Sequence, residues 1–182
     1  MQTFITFLRG VNMTGHNSIR MNDLSALYKD MGFNDAETYI QSGNVIFSSS
    51  GQEPINQISQ KIEMAIFKRF NYKVPLMVRT IAEVKALDSC NPFLSMENFD
   101  PSKMAVMFLH EECSMVQLQK AEHIDYPPDK FKISGSEIFI YCPNGFGKTK
   151  LYTNFFEKKM GVTGTARNWN TITTILNIAE KK

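Results

Sequence analysis

The sequence predicts an α+β protein built from two ferredoxin-like (split β-α-β) subdomains in tandem, the second ending in a C-terminal helix. Three observations lead there. Strand-like and helix-like segments alternate as β-α-β-β-α-β up to about residue 80, and the same kind of pattern restarts after a connector. A chain of 182 residues, 43% hydrophobic and 21% charged, is long enough to bury a sizeable core. The expected boundaries are 1–88 for the first subdomain, 89–102 for the connector and 103–182 for the second subdomain.

The elements follow in order. Thr3 to Leu8 is an apolar, β-forming run that stops at Arg9-Gly10, so it reads as a strand. A polar loop from Val11 to Arg20 carries Gly15, His16 and Asn17 near its tip. Asn22 can cap a helix from Asp23 to Met31, with Leu24, Leu27, Tyr28 and Met31 on one face and Gly32 at its C-terminal stop. Glu37 to Gln41 and Asn44 to Ser48 form a hairpin around Ser42-Gly43, read as a two-residue primed turn. Pro54 opens a helix to about Phe70, with Ile55, Ile58, Ile62, Ile66 and Phe70 along its buried stripe. Val74 to Arg79 is the fourth strand, and Thr80 caps a short helix from Ile81 to Leu87.

The stretch from Cys90 to Ser102, with two prolines and little periodicity, reads as the connector. Lys103 to His110 is then a strand, and Ser114 caps a helix to His123. Phe131 to Ser134 and Glu137 to Cys142 make a hairpin around Gly135-Ser136, and Leu151 to Met160 and Trp169 to Lys181 are helices. This half ends in a helix, without a confirmed fourth strand, and no sequence identity between the halves is evident.

Polar strings at element ends carry the functional signal, because a rigid scaffold commonly presents binding groups on its loops. They are Leu8-Arg9-Gly10-Val11-Asn12, Tyr39-Ile40-Gln41-Ser42-Gly43-Asn44, and Thr165-Ala166-Arg167-Asn168-Trp169-Asn170. In a split β-α-β unit, strands 1 and 2 run parallel with strand 3 between them. The end of strand 1 and the strand 2–3 turn then share one sheet edge, bringing Arg9, Gly10 and Asn12 near Gln41, Ser42, Gly43 and Asn44. Arg offers a planar fork of donors, and Asn and Gln offer both donor and acceptor, a set suited to a phosphate, a carboxylate or a base edge. The bland alternative is that Gly10 and Gly43 serve turns with positive φ, that Asn12 and Asn44 bond their own backbone, and that Arg9 pairs with a carboxylate. Thr165 or Asn168 is expected to cap the last helix. Arg167, a cation at a helix start, then calls for an anion or a carboxylate partner. Of five arginines among 20 basic residues, Arg9, Arg20, Arg79 and Arg167 sit at element ends.

Other chemistry is weak. Gly145-Phe146-Gly147-Lys148-Thr149 resembles part of a phosphate loop, but Cys142 occupies the position where that motif needs its first glycine. His110-Glu111-Glu112-Cys113 lacks the second histidine of a zinc-peptidase helix, and the cysteines show no Cys-x-x-Cys spacing, so no metal site is expected. Strand aromatics Phe4, Phe7 and Phe47 invite comparison with RNA-stacking sheets, yet the Arg/Lys-Gly-aromatic opening is missing. The net charge of +2 and the absence of basic blocks add nothing for nucleic acid. Cys90, Cys113 and Cys142, odd in number and far apart, read as free thiols of a cytoplasmic protein. Met1 to Ile5 lacks the features of a secretory leader, and no run of apolar residues is long enough to span a membrane.

The strings Leu8 to Asn12, Thr38 to Phe47, Asn91 to Phe93 and Thr165 to Thr171 together resemble a widespread bacterial family, the uncharacterised group known as domain of unknown function 1697. The resemblance runs from residue 4 to about residue 178 and implies a cytoplasmic α+β protein with two ferredoxin-like halves. It implies no activity, cofactor or catalytic residue.

The pattern as a whole fits a binding module for a small anionic, phosphate-bearing ligand. Arg9 and Arg167 would clamp the anion, with Gly10, Asn12, Gln41, Ser42, Asn44 and Asn168 around it. The alternatives are RNA or single-stranded nucleic-acid binding, and an enzyme using His16 as acid or base. No cofactor is expected.

Overall fold

Two runs of alternating apolar strands close into separate four-stranded antiparallel sheets in the computed structural model, which describes residues 1–13, 17–50 and 53–182, Asn34 through its backbone alone. With six helices among the described residues, the protein is of mixed α+β class. The chain divides into two compact units, residues 1–85 with 174–182, and residues 86–173.

In the first unit, β1 (Gln2–Leu8), α1 (Met21–Asp30), β2 (Asn34–Tyr39), β3 (Asn44–Ser49), α2 (Ile55–Phe70) and β4 (Leu76–Thr80) follow one another, and the sheet order is β2-β3-β1-β4. Period-two alternation divides β1 between two faces. Phe4 and Leu8 join Tyr28, Phe47, Ile58, Ile62, Leu76 and Val78 in one buried cluster with α1 and α2. Ile5 pairs with Ile46 and with Arg79 on the opposite face, where Phe7 and Met77 are also buried. Helix α1 ends in a Schellman motif: the Phe33 amide donates to the Tyr28 carbonyl at 3.1 Å and the Gly32 amide to Lys29 at 2.9 Å. Gly32 supplies the positive φ (+84°) that this stop requires.

Sequence expectation and structure differ at several places in this unit: β2 runs Asn34–Tyr39 where the sequence predicts Glu37 to Gln41, and β4 runs Leu76–Thr80 where it predicts Val74 to Arg79. Asn22 does not cap α1. The helix starts at Met21, and Arg20 occupies the cap with an extended backbone and no capping side chain. The β2–β3 connection is not a two-residue turn, because Tyr39 pairs with Asn44 and leaves a four-residue loop, Ile40 to Gly43. Ile40 adopts φ +52°, which a β-branched side chain rarely does. At the other end of β2, Lys182 Nζ donates to the Asp35 carbonyl at 2.5 Å and stands 3.3 Å from Glu37 Oε2. Helix α3 (Ile81–Cys90) then opens on a reciprocal cap, with the Thr80 amide donating to Glu83 Oε2 at 2.7 Å and the Glu83 amide to Thr80 Oγ1 at 3.2 Å.

In the second unit a short 3₁₀ turn (Pro101–Lys103) leads into β5 (Met104–Leu109), α4 (Met115–Glu122), β6 (Lys130–Ser134), β7 (Glu137–Tyr141), α5 (Thr153–Met160) and β8 (Gly164–Asn168). Its sheet order is β6-β7-β5-β8. Met107, Leu109, Ile138, Ile140, Phe156 and Met160 share its core. Ser114 and Gln117 form the capping box expected at α4. The expectation that this half ends without a confirmed fourth strand is corrected: Gly164 to Asn168 is β8, antiparallel to β5. Thr165 therefore lies inside a strand instead of capping a helix, and α6 (Trp169–Ala179) begins directly after Asn168.

The two units repeat each other bond for bond at the ends of β1 and β5. The Leu8 amide donates to Gly43 O and the Leu109 amide to Ser136 O, both at 2.8 Å. The Arg9 amide donates to Pro75 O and the His110 amide to Thr163 O, both at 2.9 Å. The two units thus share these backbone bonds, with little shared residue identity.

Tyr28 is completely buried, and its phenol oxygen has the Thr6 hydroxyl close by but no hydrogen bond of good geometry to any described residue. Burial pushes the phenol well above its ordinary range, with the nearby Thr6 hydroxyl opposing this only in part. The folded state thus holds the neutral form, so stability falls once pH rises past about 10, where the unfolded phenol ionises, by up to about 1.4 kcal/mol per pH unit. Tyr28→Phe is expected to stabilise the protein by about 1 kcal/mol at neutral pH and to flatten that alkaline loss. Urea titrations at pH 7 and pH 10.5 check both effects.

Candidate functional site

The end of β1 is fixed from both sides, by Gly43 of the β2–β3 loop and by Pro75 just before β4. Beyond it the chain turns through left-handed residues: Gly10 (φ +68°), Asn12 (+55°) and Asn17 (+49°). The Asn12 side chain organises this turn. Its Oδ1 accepts from the Ile19 amide at 2.8 Å, and its Nδ2 donates to Ile19 O and to Gln41 O, each at 2.9 Å. Asn17 Nδ2 donates to Gly10 O at 3.1 Å. Asn44, completely buried, donates from Nδ2 to Tyr39 O at 2.9 Å and to Ser42 Oγ at 3.1 Å.

The first two strings therefore converge on one sheet edge, as their topology requires. Asn12 bridges them across 29 residues of sequence. The asparagines build the loops: both amide protons of Asn12 and of Asn44 go to neighbouring atoms of the same edge. Arg9 and Ser42 are half-buried beside an exposed Gln41, and Ile40 at the loop tip is 48% exposed. His16 lies outside the described residues.

The third string belongs to the second unit. Arg167 is buried in β8 opposite Val106, and its Nη1 donates to Thr165 Oγ1 at 2.8 Å and to Ala166 O at 2.9 Å. Desolvation pulls the guanidinium down to about 10, which leaves it charged at neutral pH. Asn168 is exposed immediately before α6. Arg79 holds the equivalent place in the first unit: it is buried in β4 opposite Ile5, and its Nη1 donates to Val78 O at 3.0 Å. Sequence reasoning marks Arg79 only as an element-end arginine. The shared pattern of an apolar residue, Arg, a polar residue and an apolar residue in Val78-Arg79-Thr80-Ile81 and Ala166-Arg167-Asn168-Trp169 is the signal that marks the pair.

The remaining motifs have structural roles. Asn91 Oδ1 accepts from the Phe93 amide at 3.0 Å, making Asn-Pro-Phe a turn, and Phe93 lies 5.8 Å from the Tyr141 ring. In the loop after β7, the Gly145 amide donates to Cys142 O and the Lys148 amide to Gly145 O, so two amides of the phosphate-loop-like string are already engaged. Phe4 and Phe47 stack on each other at 5.6 Å inside the first core, and Phe7 is wholly buried, so these three rings are no platform for bases. Among the described residues no group of three or more His, Cys, Asp or Glu could hold a metal, and Cys90, Cys113 and Cys142 are free thiols. No described helix is long and apolar enough to cross a membrane.

A family model described as protein of unknown function (DUF1697) matches residues 1–139. The chain belongs to the DUF1697 family. The matched stretch contains the whole convergent edge of the first unit and ends within β7, before the Arg167 string. No curated protein matches the sequence. Among solved structures, the conserved bacterial protein SP0830 from Streptococcus pneumoniae is similar at 20% identity, with a TM-score of 0.78 over 98% of both chains. At that identity the likeness concerns the fold, which this DUF1697 chain shares along nearly its full length.

Proposed function

We propose that this protein is a cytoplasmic binding module for a small anionic, phosphate-bearing ligand, held at the end of β1 by Arg9, Ser42 and Gln41 with the Gly10 backbone. Asn12 and Asn44 act as the scaffold that fixes those groups. Each unit is read as ferredoxin-like, on the strength of its β-α-β-β-α-β order and its antiparallel sheet. The three free thiols support the cytoplasmic assignment. Arg167 and Asn168 belong to the other unit, and the proposed site is drawn on the first unit alone.

The observation that carries the reading is the contrast between the two equivalent edges. Where the first unit has Arg9, Gly10, Val11 and Asn12 after its first strand, the second has His110, Glu111, Glu112 and Cys113. His110 Nδ1 lies 3.8 Å from Glu111 Oε1. Two glutamates repel an anion, whereas an arginine at that strand end, with a serine and a glutamine in the loop that pins the same strand, attracts one. One scaffold has thus been given opposite electrostatics at its two ends, which argues for one anion per chain.

A thermal-shift screen against nucleotides and sugar phosphates, at low and high salt, tests this. A ligand at 100 times its Kd adds about 2.7 kcal/mol, enough to raise Tm by several degrees. The expected result is a salt-tolerant shift with one such compound that Arg9→Ala abolishes. A shift confined to short RNA and steeply lost with salt would replace this reading with nucleic-acid binding. No shift with any compound would end it.

A further inference from the structure

Helix α2 buries Ile58, Ile62 and Ile66 and turns another stripe outward, with Gln57, Lys61, Met64 and Lys68 following at helical spacing. Met64 is 56% exposed and Phe67, three residues on, 44%. A groove of about 450 Å³ follows the stripe, walled by Met31 from the end of α1. A second hollow of about 250 Å³ lies beside Phe67, lined also by Glu63, Lys73, Val74 and Pro75. Single exposed apolar residues are ordinary on a surface. These two line adjacent concavities on one helix, and methionine side chains adapt readily to a variable apolar anchor.

The geometry points to this face of α2 as a docking groove for an acidic amphipathic helix of a partner protein. Charge selects the occupant: among the described residues Lys61 and Lys68 line the first groove without a carboxylate, whereas Glu63 lines the second hollow, so the partner's acidic flank lies over the first. Lys61 reaches Glu53 at 2.6 Å, but both side chains are well exposed, and such a pair exchanges easily for a partner's carboxylate. Length fits as well. From Gln57 to Lys68 the helix rises about 16 Å, which matches three turns of a bound helix with anchors at i, i+3 or i+4, and i+7. A concave apolar floor receives protruding side chains, whereas a lipid surface favours a protruding apolar patch. The first groove shares no residue with the Arg9 edge, and neither proposal needs the other.

The test uses the full chain and two fluorescein-labelled 16-residue helical peptides with the same leucine spacing, one flanked by glutamates and one by lysines. Anisotropy is expected to give at least tenfold tighter binding of the acidic peptide. Met64→Glu and, separately, Lys68→Glu should each weaken it tenfold or more, and Arg9→Ala should leave it unchanged. Circular dichroism checks that the variants fold, as substitution of exposed side chains should allow. No binding of the acidic peptide up to millimolar concentration would overturn the proposal, as would equal binding of both peptides or binding that Met64→Glu leaves intact. Concentration-dependent dimerisation lost in Met64→Glu would overturn it in favour of a second copy of this chain. Co-sedimentation with phosphatidylserine vesicles, lost in the same variant, would overturn it in favour of a lipid surface.

Discussion

Phe47→Ala is expected to destabilise the first unit by roughly 4 kcal/mol, a large part of the stability of an ordinary domain. Phe47 is wholly buried at the centre of an aromatic group: its ring lies 4.6 Å from Phe33, 5.2 Å from Tyr28 and 5.6 Å from Phe4. Those three rings come from β1, α1 and the α1–β2 connection, so β3 holds its neighbours through one side chain. Truncation removes the transfer free energy of the ring, leaves a cavity, and deletes aromatic contacts worth about 0.5–1.5 kcal/mol each beyond area. The surrounding rings are themselves fixed by strands and by the Schellman stop, and so cannot collapse into the space. Phe47→Leu, which keeps most of the volume, should cost about 1.5 kcal/mol. Urea denaturation should show the midpoint falling without a change in slope. A loss below about 1.5 kcal/mol for the alanine variant would mean that this cluster does not organise the unit.

Where local pattern and tertiary demand agree, the fold is legible in the sequence. The α2 stripe, the Gly32 stop, the Thr80 and Ser114 caps and the hairpin of β6 and β7 all follow from spacing and residue type. Strand β8 does not, because Gly164-Thr165-Ala166-Arg167-Asn168 contains no β-branched apolar residue and buries a threonine and an arginine on one face. Period two is present there, but the positions toward the unit's core are only Gly164 and Ala166, and the buried positions on the other face are polar. The start of α1 escapes for a related reason. Asn22 has the chemistry of a cap, yet the bonds of Asn12 to Ile19 hold the chain extended up to Arg20, so the helix begins at Met21. In the β2–β3 loop, Ile40 at positive φ runs against residue preference, and no local rule predicts it.

For the site, topology together with residue type is enough to place Asn12 beside Gln41. A single sequence does not reveal whether an asparagine faces a ligand or its own loop, because the same amide serves both. Here the loop takes it. The likeness of the two units is hard to see in the sequence because equivalent positions share backbone bonds while few share side chains: Leu8 matches Leu109 and Arg79 matches Arg167, but His110 stands for Arg9 and Ser136 for Gly43. Pairing can conserve a scaffold while the residues displayed on it diverge completely.

Gly43→Ala should lower stability by about 3 kcal/mol, through two separable costs. Gly43 adopts φ +76°, and a methyl group at that Cα would stand 2.5 Å from Val11 Cγ2 and 2.8 Å from Leu8 Cβ. Both of those residues are buried, and Leu8 also donates its amide to the Gly43 carbonyl, so neither can retreat without opening the end of β1. Gly10 is the control on the same edge. Its φ is +68°, but nothing lies within 4 Å of where an alanine methyl would sit, so Gly10→Ala should cost only about 1 kcal/mol of backbone strain. The difference, roughly 2 kcal/mol, isolates the contact of the loop with Leu8 and Val11. Because Val11 sits between Gly10 and Asn12, displacing it also shifts the Asn12 bridge to Gln41. A folded Gly43→Ala protein should therefore lose the ligand-induced thermal shift along with its stability. Equal melting temperatures for the two variants would show that the edge relaxes freely, and would remove the rigid scaffold on which a fixed anion site at Arg9 depends.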